Sequence, residues 1–89
     1  MNIYRLDPIA PGHPSWRYSE EKDTVWACAP TAAQARELVA AKSGFAKHAE
    51  AGAISPWQDA TATSCVLEPT MSLMRPGSVV REDGSRVDF

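Results

Sequence analysis

Apolar residues recur at helical spacing in one segment of the chain, from Thr31 to Gly44. Thr31 has the side chain of a helix N-cap, and Gln34 three residues later completes a capping box. Gly44 can adopt the left-handed conformation that ends a helix. A helix of about 12 residues is marginally stable alone, so this one is expected to lie on a sheet. The narrow stripe that should bring it close to that sheet consists of Ala32, Ala35, Leu38 and Val39.

Short runs of alternating character on both sides of this helix predict β-strands. They span residues 3–6, 24–29 and 62–67, and prolines close the first and the third. In the second run the small side chains of Val25, Ala27 and Ala29 alternate with Trp26 and Cys28. The small side chains are expected to face the helix, so Trp26 should cover the other sheet face or lie at an edge.

The last segment, residues 78–89, predicts a β-hairpin around Asp83-Gly84. A two-residue loop would place two arginines, Arg81 and Arg86, opposite each other, which is unfavourable for like charges. A three-residue Glu-Asp-Gly loop instead places Val79 opposite Val87. The second register is therefore preferred.

The chain of 89 residues suits one small domain. The predicted fold class is a two-layer α+β architecture, β-β-α-β, with one main helix on a small antiparallel sheet plus a C-terminal β-hairpin. Along the chain this gives an α+β core domain at residues 1–67, an apolar linker at 68–77 and the hairpin at 78–89.

Charge and hydropathy narrow the possible functions. A net charge of −2 without a basic run disfavours non-specific binding of nucleic acid. No stretch reaches the ~18 apolar residues of a membrane span. The N-terminus has no apolar region of the kind found in a signal peptide, so the expected location is the cytoplasm.

The motifs of common enzymes and metal sites do not occur in this sequence. It contains no GxSxG, P-loop, GxGxxG or HExxH pattern. His13 and His48 are expected to be solvated side chains, and Cys28 and Cys65 to be reduced, buried thiols without a ligand-pair spacing. We therefore expect no catalytic residue, no cofactor and no metal, and predict that the protein is not an enzyme.

Large apolar residues outside the periodic segments favour a protein partner. Trp16 and Trp57 lie in proline-containing loops, where tryptophans are typical interface anchors. Met71, Leu73 and Met74 add a flexible apolar patch of the kind that adapts to partners. These five residues are the candidate contact surface, either for another protein or for a homodimer. The alternative interpretation is that they pack the domain itself.

A second class of function is a small α+β nucleic-acid-binding domain. Only the run Trp16-Arg17-Tyr18 combines aromatic and basic side chains as single-strand binders do. Because the other arginines are scattered along the chain, we rank this alternative below protein binding.

The runs IYRLDPIAP, PSW and VWACAPTAAQARELVA, followed by PW and a cysteine-containing strand, resemble short bacterial and prophage proteins with a YRLxP…PSW…AR pattern and no assigned activity. The resemblance covers roughly residues 3–67 and carries no functional residue over to this chain. By analogy with small acidic phage-borne domains, it implies an accessory protein or a stoichiometric inhibitor of a host machine, for example an anti-CRISPR-like protein.

Overall fold

The structure is a computed structural model that describes residues 2–9, 12, 14–48, 53, 55–69 and 74–89. Its four strands form one antiparallel sheet in the order β3-β1-β2-β4, with a helical layer on one face. The elements are β1 (Asn2–Pro8), β2 (Val25–Ala29), α1 (Ala32–Lys42), α2 (Phe45–His48), β3 (Thr63–Leu67) and β4 (Val79–Arg81), with 3₁₀ turns at Pro14–Tyr18 and Pro56–Gln58. The predicted α+β class is confirmed.

The strand register decides which side chains face the helix. Leu6 of β1 lies opposite Val25 of β2 and Cys65 of β3, and these three side chains share the helix-covered face. Trp26 lies opposite Arg5 on the other face, as the alternation in the second strand predicts. The main core cluster therefore lies between the sheet and the helical layer.

Helix α1 begins where the capping pattern predicts. The Thr31 side chain accepts a hydrogen bond from the backbone N–H of Gln34 at 3.2 Å, and its hydroxyl lies 3.1 Å from the Gln34 side-chain oxygen. At the other end, Gly44 has φ of +82°, and a Cβ there would lie 2.9 Å from Cγ of Glu20. Both its backbone conformation and the close approach of Glu20 require glycine at this position.

The C-terminal strand pair has the three-residue loop that the valine positions favour. The backbone N–H of Val87 donates to the carbonyl of Val79 at 2.9 Å, and Gly84 closes the loop with a φ of +87°. Both valines are buried, because this register brings the two side chains to the core side. Since β4 also pairs with β2, the first strand of the hairpin is the fourth strand of the same sheet.

Burial within α1 changes the expected effects of substitutions in the stripe. Val39 is fully buried, whereas Leu38 is only partly buried against the core. Val39→Ala should therefore lower the free energy of unfolding by about 2 kcal/mol. Leu38→Ala should lower the free energy of unfolding by less than Val39→Ala, because the Leu38 side chain is only partly buried. Thr31→Ala should lower it by about 1 kcal/mol, because the helix loses its cap. Urea unfolding of the three variants tests this order, and a larger loss for Leu38→Ala than for Val39→Ala would contradict it.

Candidate interaction surface

The two tryptophans that were expected to contact a partner are core residues. Trp16 is 3% exposed and Trp57 is fully buried. Their rings meet edge to face with centroids 4.9 Å apart, inside the cluster formed by the sheet and α1. The prediction that they form a contact surface is therefore corrected: both loops fold inward because the small residues of the sheet and α1 leave room for large rings.

Two hydrogen bonds hold the second of these rings and its loop. The indole N–H of Trp57 donates to Oγ of Ser19 at 2.9 Å, and the Trp57 carbonyl accepts from Nη1 of Arg36 at 3.2 Å. A buried indole that keeps a hydrogen-bond partner is a stable core element. The loops before β2 and before β3 are thus tied to each other and to α1.

The methionine-rich patch is described only at its last residue. Met71 and Leu73 lie outside the described residues. Met74 is half-buried, and its carbonyl lies 3.8 Å from the thiol of Cys28 on the face of the sheet opposite α1. Residues following Met74 join β2 directly, since the N–H of Gly77 donates to the Cys28 carbonyl at 2.8 Å.

The two cysteines are free thiols in different environments. Cys28 is buried, whereas Cys65 is only half-buried, which corrects the expectation that both are buried. Burial raises the pKa of the Cys65 thiol, and the nearby charge of Arg36 opposes that shift. A raised pKa leaves less of the reactive thiolate at neutral pH.

A thiol reagent should therefore distinguish the two cysteines in the folded protein. We expect Cys65 to react slowly at pH 7 and faster as the pH rises, and Cys28 to react only on unfolding. Mass spectrometry of peptides after timed labelling measures both rates. The Cys65→Ser variant is the matched control, because its labelling must come from Cys28 alone. Rapid native labelling of Cys28 would contradict the assignment.

A partly buried ion pair joins the C-terminal strand pair to the loop before β2. Nε of Arg81 lies 2.7 Å from a carboxylate oxygen of Glu21, whose side chain is 5% exposed. Nη1 of Arg81 also donates to the Arg86 carbonyl at 2.8 Å, and its guanidinium stacks over Phe89. Arg81 therefore holds three parts of the chain together, which is a structural role.

The hairpin loop is stabilised by hydrogen bonds between Asp83 and Ser85. Hydrogen bonds from the Ser85 side chain and backbone lower the pKa of the Asp83 carboxyl. The carboxylate thus acts as an acceptor that shapes the turn. The presence of an acidic residue in this loop is therefore explained by its hydrogen bonds within the turn.

On the face of the sheet opposite α1, the charges of Arg5 and Asp7 compensate each other. Arg5 is paired with Asp7 at 2.8 Å, and Asp7 also accepts from Thr24 at 2.6 Å. Beside Trp26, a shallow depression of about 320 Å³ is lined by Trp26, Val80, Arg81, Glu82 and Gly84. A depression this open would hold a side chain rather than enclose a substrate.

A second cleft, of about 170 Å³, lies where the C-terminal residues meet α1. Lys42, Arg75 and Arg86 line it together with Asp88. Lys42 lies 3.9 Å from the Asp88 carboxylate, which is mostly exposed. The cleft is polar and basic, but it lacks a buried polar side chain directed into it among those lining residues.

The outer edge of β3 carries exposed apolar side chains. Val66 is 52% exposed and Leu67 is 56% exposed, and Ile9, which follows β1 and bonds to Ala62, is 54% exposed. These three account for most of the large hydrophobic side chains exposed in the described part of the chain. We call the outer side of residues 65–67 the β3 edge, and Ile9 lies beside Ala62 on the side of this strand that faces β1.

The β3 edge was missed by sequence reasoning, which placed the candidate contact surface in the tryptophan loops and the methionine-rich patch. The position of β3 at the end of the sheet is decided by the order of strands. One signal was visible in the sequence: the run Thr63–Leu67 contains no charge, although edge strands commonly carry one.

The described residues contain neither a metal-binding cluster nor a helix suited to a membrane. None of them forms a group of three or more His, Cys, Asp or Glu side chains that could hold a metal ion. None of the helices formed by those residues is long and apolar enough to cross a membrane. His13 lies outside the described residues, and only the backbone of His48 is described.

Known proteins give no indication of function for this chain, so its function is inferred from the surface geometry. No protein-family model, curated protein or solved structure matches this chain.

Proposed function

We propose that the protein is a non-catalytic protein-binding module whose contact surface is the β3 edge. The observation that supports this is the exposure of Val66 and Leu67, each above one half, on an edge strand. An exposed strand edge offers unpaired backbone groups to another chain, and apolar side chains on it gain from being covered.

Because Trp16 and Trp57 are packed in the core, the proposed contact surface does not include the tryptophan loops. Most of the large apolar side chains that are exposed in the described residues lie on β3 and beside its start. Exposed apolar side chains on an unpaired strand edge favour pairing with another chain. A stoichiometric inhibitor encoded by a mobile element is the specific form of this proposal, and its support is the resemblance of residues 3–67 alone.

The alternative is binding of single-stranded nucleic acid on the sheet face opposite α1. Arg5 and Trp26 are cross-strand neighbours there, and a cation beside an aromatic ring suits a stacked base. The Arg5–Asp7 pair and the net charge of −2 oppose this alternative. If the protein binds other proteins and not nucleic acid, it should pass through heparin and DNA columns without being retained, whatever the salt concentration.

The experiment that tests the proposal is a pull-down from a lysate of the source cell. It compares four baits at equal concentration: wild type, Val66→Lys, Leu67→Lys and Ala41→Lys. Ala41 is exposed on α1, so its variant adds the same charge away from β3. We expect a protein that is retained by wild type and Ala41→Lys and is lost with both edge variants. Titration of the purified partner should then show affinity at least about tenfold lower for the edge variants, since a charge would be placed in the contact.

Thermal melts of the four proteins provide the folding control, and each variant should unfold in one cooperative transition like wild type because the substituted side chains lie outside the core of the chain. Retention of the same partner by every variant would overturn the assignment of the β3 edge. Loss of the partner with Ala41→Lys alone would place the surface on α1.

A further inference from the structure

We infer that the β3 edge pairs with the β3 edge of a second copy of this chain, antiparallel, about a two-fold axis that passes Val66. This inference rests on the proposed function, since it names the occupant of the same edge. It is carried by the direction of the backbone groups, the side-chain register and the distribution of charge along β3.

The backbone of β3 has hydrogen-bonding groups directed away from β1. Bonds from the N–H of Ile9 to the Ala62 carbonyl (2.9 Å) and from the N–H of Glu68 to the Ile3 carbonyl (2.8 Å) show which residues bond to β1. In an antiparallel ladder the bonded residues alternate, so Ser64 and Val66 bond inward as well. The N–H and C=O groups of the alternate residues, Cys65 and Leu67, therefore point outward, where no described strand pairs with β3.

An axis at Val66 satisfies all of these outward groups at once. Cys65 of one copy then lies opposite Leu67 of the other, and the two residues exchange both backbone hydrogen bonds. The two-fold axis repeats this bonded pair on its other side. An axis at Cys65 would leave the Leu67 carbonyl opposite the N–H of Thr63, which already donates to Asp59 at 3.0 Å.

The same register covers the exposed apolar side chains. Val66 meets Val66 of the second copy at a non-hydrogen-bonded position, where side chains approach most closely. Leu67 packs beside Cys65 of the second copy on the helix side of the joined sheet. The two most exposed side chains of β3 are thereby removed from water.

Charge favours a second copy over a foreign strand. A charged residue at a two-fold axis faces its own copy, which is unfavourable, and β3 carries none over Thr63–Leu67. Glu68 falls opposite Ser64 of the second copy in this register, so its carboxylate meets no like charge there. Pro69 then ends the strand and limits pairing to a short segment, which favours a closed dimer over a fibre.

The oligomeric state is the first test. Light scattering after size exclusion should give twice the 9.7 kDa chain mass for wild type and for Ala41→Lys. Val66→Lys should elute as a folded monomer, since two lysines would face each other at the axis. A wild-type monomer at concentrations up to several hundred micromolar, or a Val66→Lys variant that stays dimeric, would overturn the inference.

Crosslinking tests the register. In a Cys65→Ser background, Val66→Cys places two thiols across the axis with Cα atoms about 4.5 Å apart, within the range that a disulfide spans. Mild oxidation should give a covalent dimer, whereas Ser64→Cys in the same background should not. Efficient oxidation of wild type to a Cys65–Cys65 dimer would overturn the Val66 axis.

Different results would contradict the β3 edge as a binding surface and the second copy as its occupant. A monomeric protein whose edge variants still lose a captured partner would overturn the second copy as occupant and leave the β3 edge as a binding surface. A dimer that is unaffected by edge variants, together with capture that is equally unaffected, would overturn both.

Discussion

Trp57→Ala should lower the free energy of unfolding by about 3–5 kcal/mol, the cost of a large cavity in a close-packed core. Trp57 is fully buried and packs edge to face against Trp16, so its removal exposes a second ring to an empty space. A domain of this size has a total stability of about 5–15 kcal/mol. The variant should therefore melt roughly 15 °C or more below wild type.

Trp57→Phe is the matched control for this prediction. It keeps an aromatic ring beside Trp16 and removes the hydrogen bond from the indole to Ser19. We expect it to cost less than half as much as the alanine variant, because most of the packing is retained. Chemical unfolding followed by circular dichroism measures both. If Trp57→Ala melted within a few degrees of wild type, the burial of this loop would be wrong.

Arg81→Met should be the second most damaging change, at about 2–3 kcal/mol. It removes the partner of the Glu21 carboxylate, whose side chain is 5% exposed, and so leaves a charge that is buried without compensation. The loss should stay below the ~3–5 kcal/mol of a fully buried pair, because the Arg81 side chain is 31% exposed and its charge is screened by water.

The double variant Glu21→Gln with Arg81→Met separates the charge from the packing. The neutral amide no longer needs a cation, so the double variant should be more stable than Arg81→Met alone. Equilibrium unfolding of the two single variants and the double variant closes the cycle. Purely additive losses would show that the ion pair contributes nothing beyond the separate contacts of the two side chains.

The tryptophans show why function was harder to predict than fold. Trp16 and Trp57 stand in proline-containing loops, outside any periodic pattern, and that position is shared by interface anchors and by rings that fold inward. The deciding contacts are long-range: one ring meets the other, and Trp57 bonds to Ser19, which is distant in sequence. No local pattern encodes such contacts.

Local chemistry by itself determined α1 and the C-terminal pair. The Thr31 cap and Gly44 act within a few residues of the helix they bound, and the loop at Gly84 sets the pairing of Val79 with Val87. Capping and tight turns depend on hydrogen bonds and backbone angles between near neighbours. A single sequence therefore carries enough information to place these elements.

Only the tertiary structure decided which residues are available at the surface. The order β3-β1-β2-β4 leaves β3 at one end of the sheet, so Val66 and Leu67 are exposed although their strand was predicted correctly. Partner choice between strands depends on how all the side chains of the sheet pack together with α1, and it is not a property of any one strand. The physical reason is that exposure belongs to the assembled sheet, whereas alternation belongs to the strand.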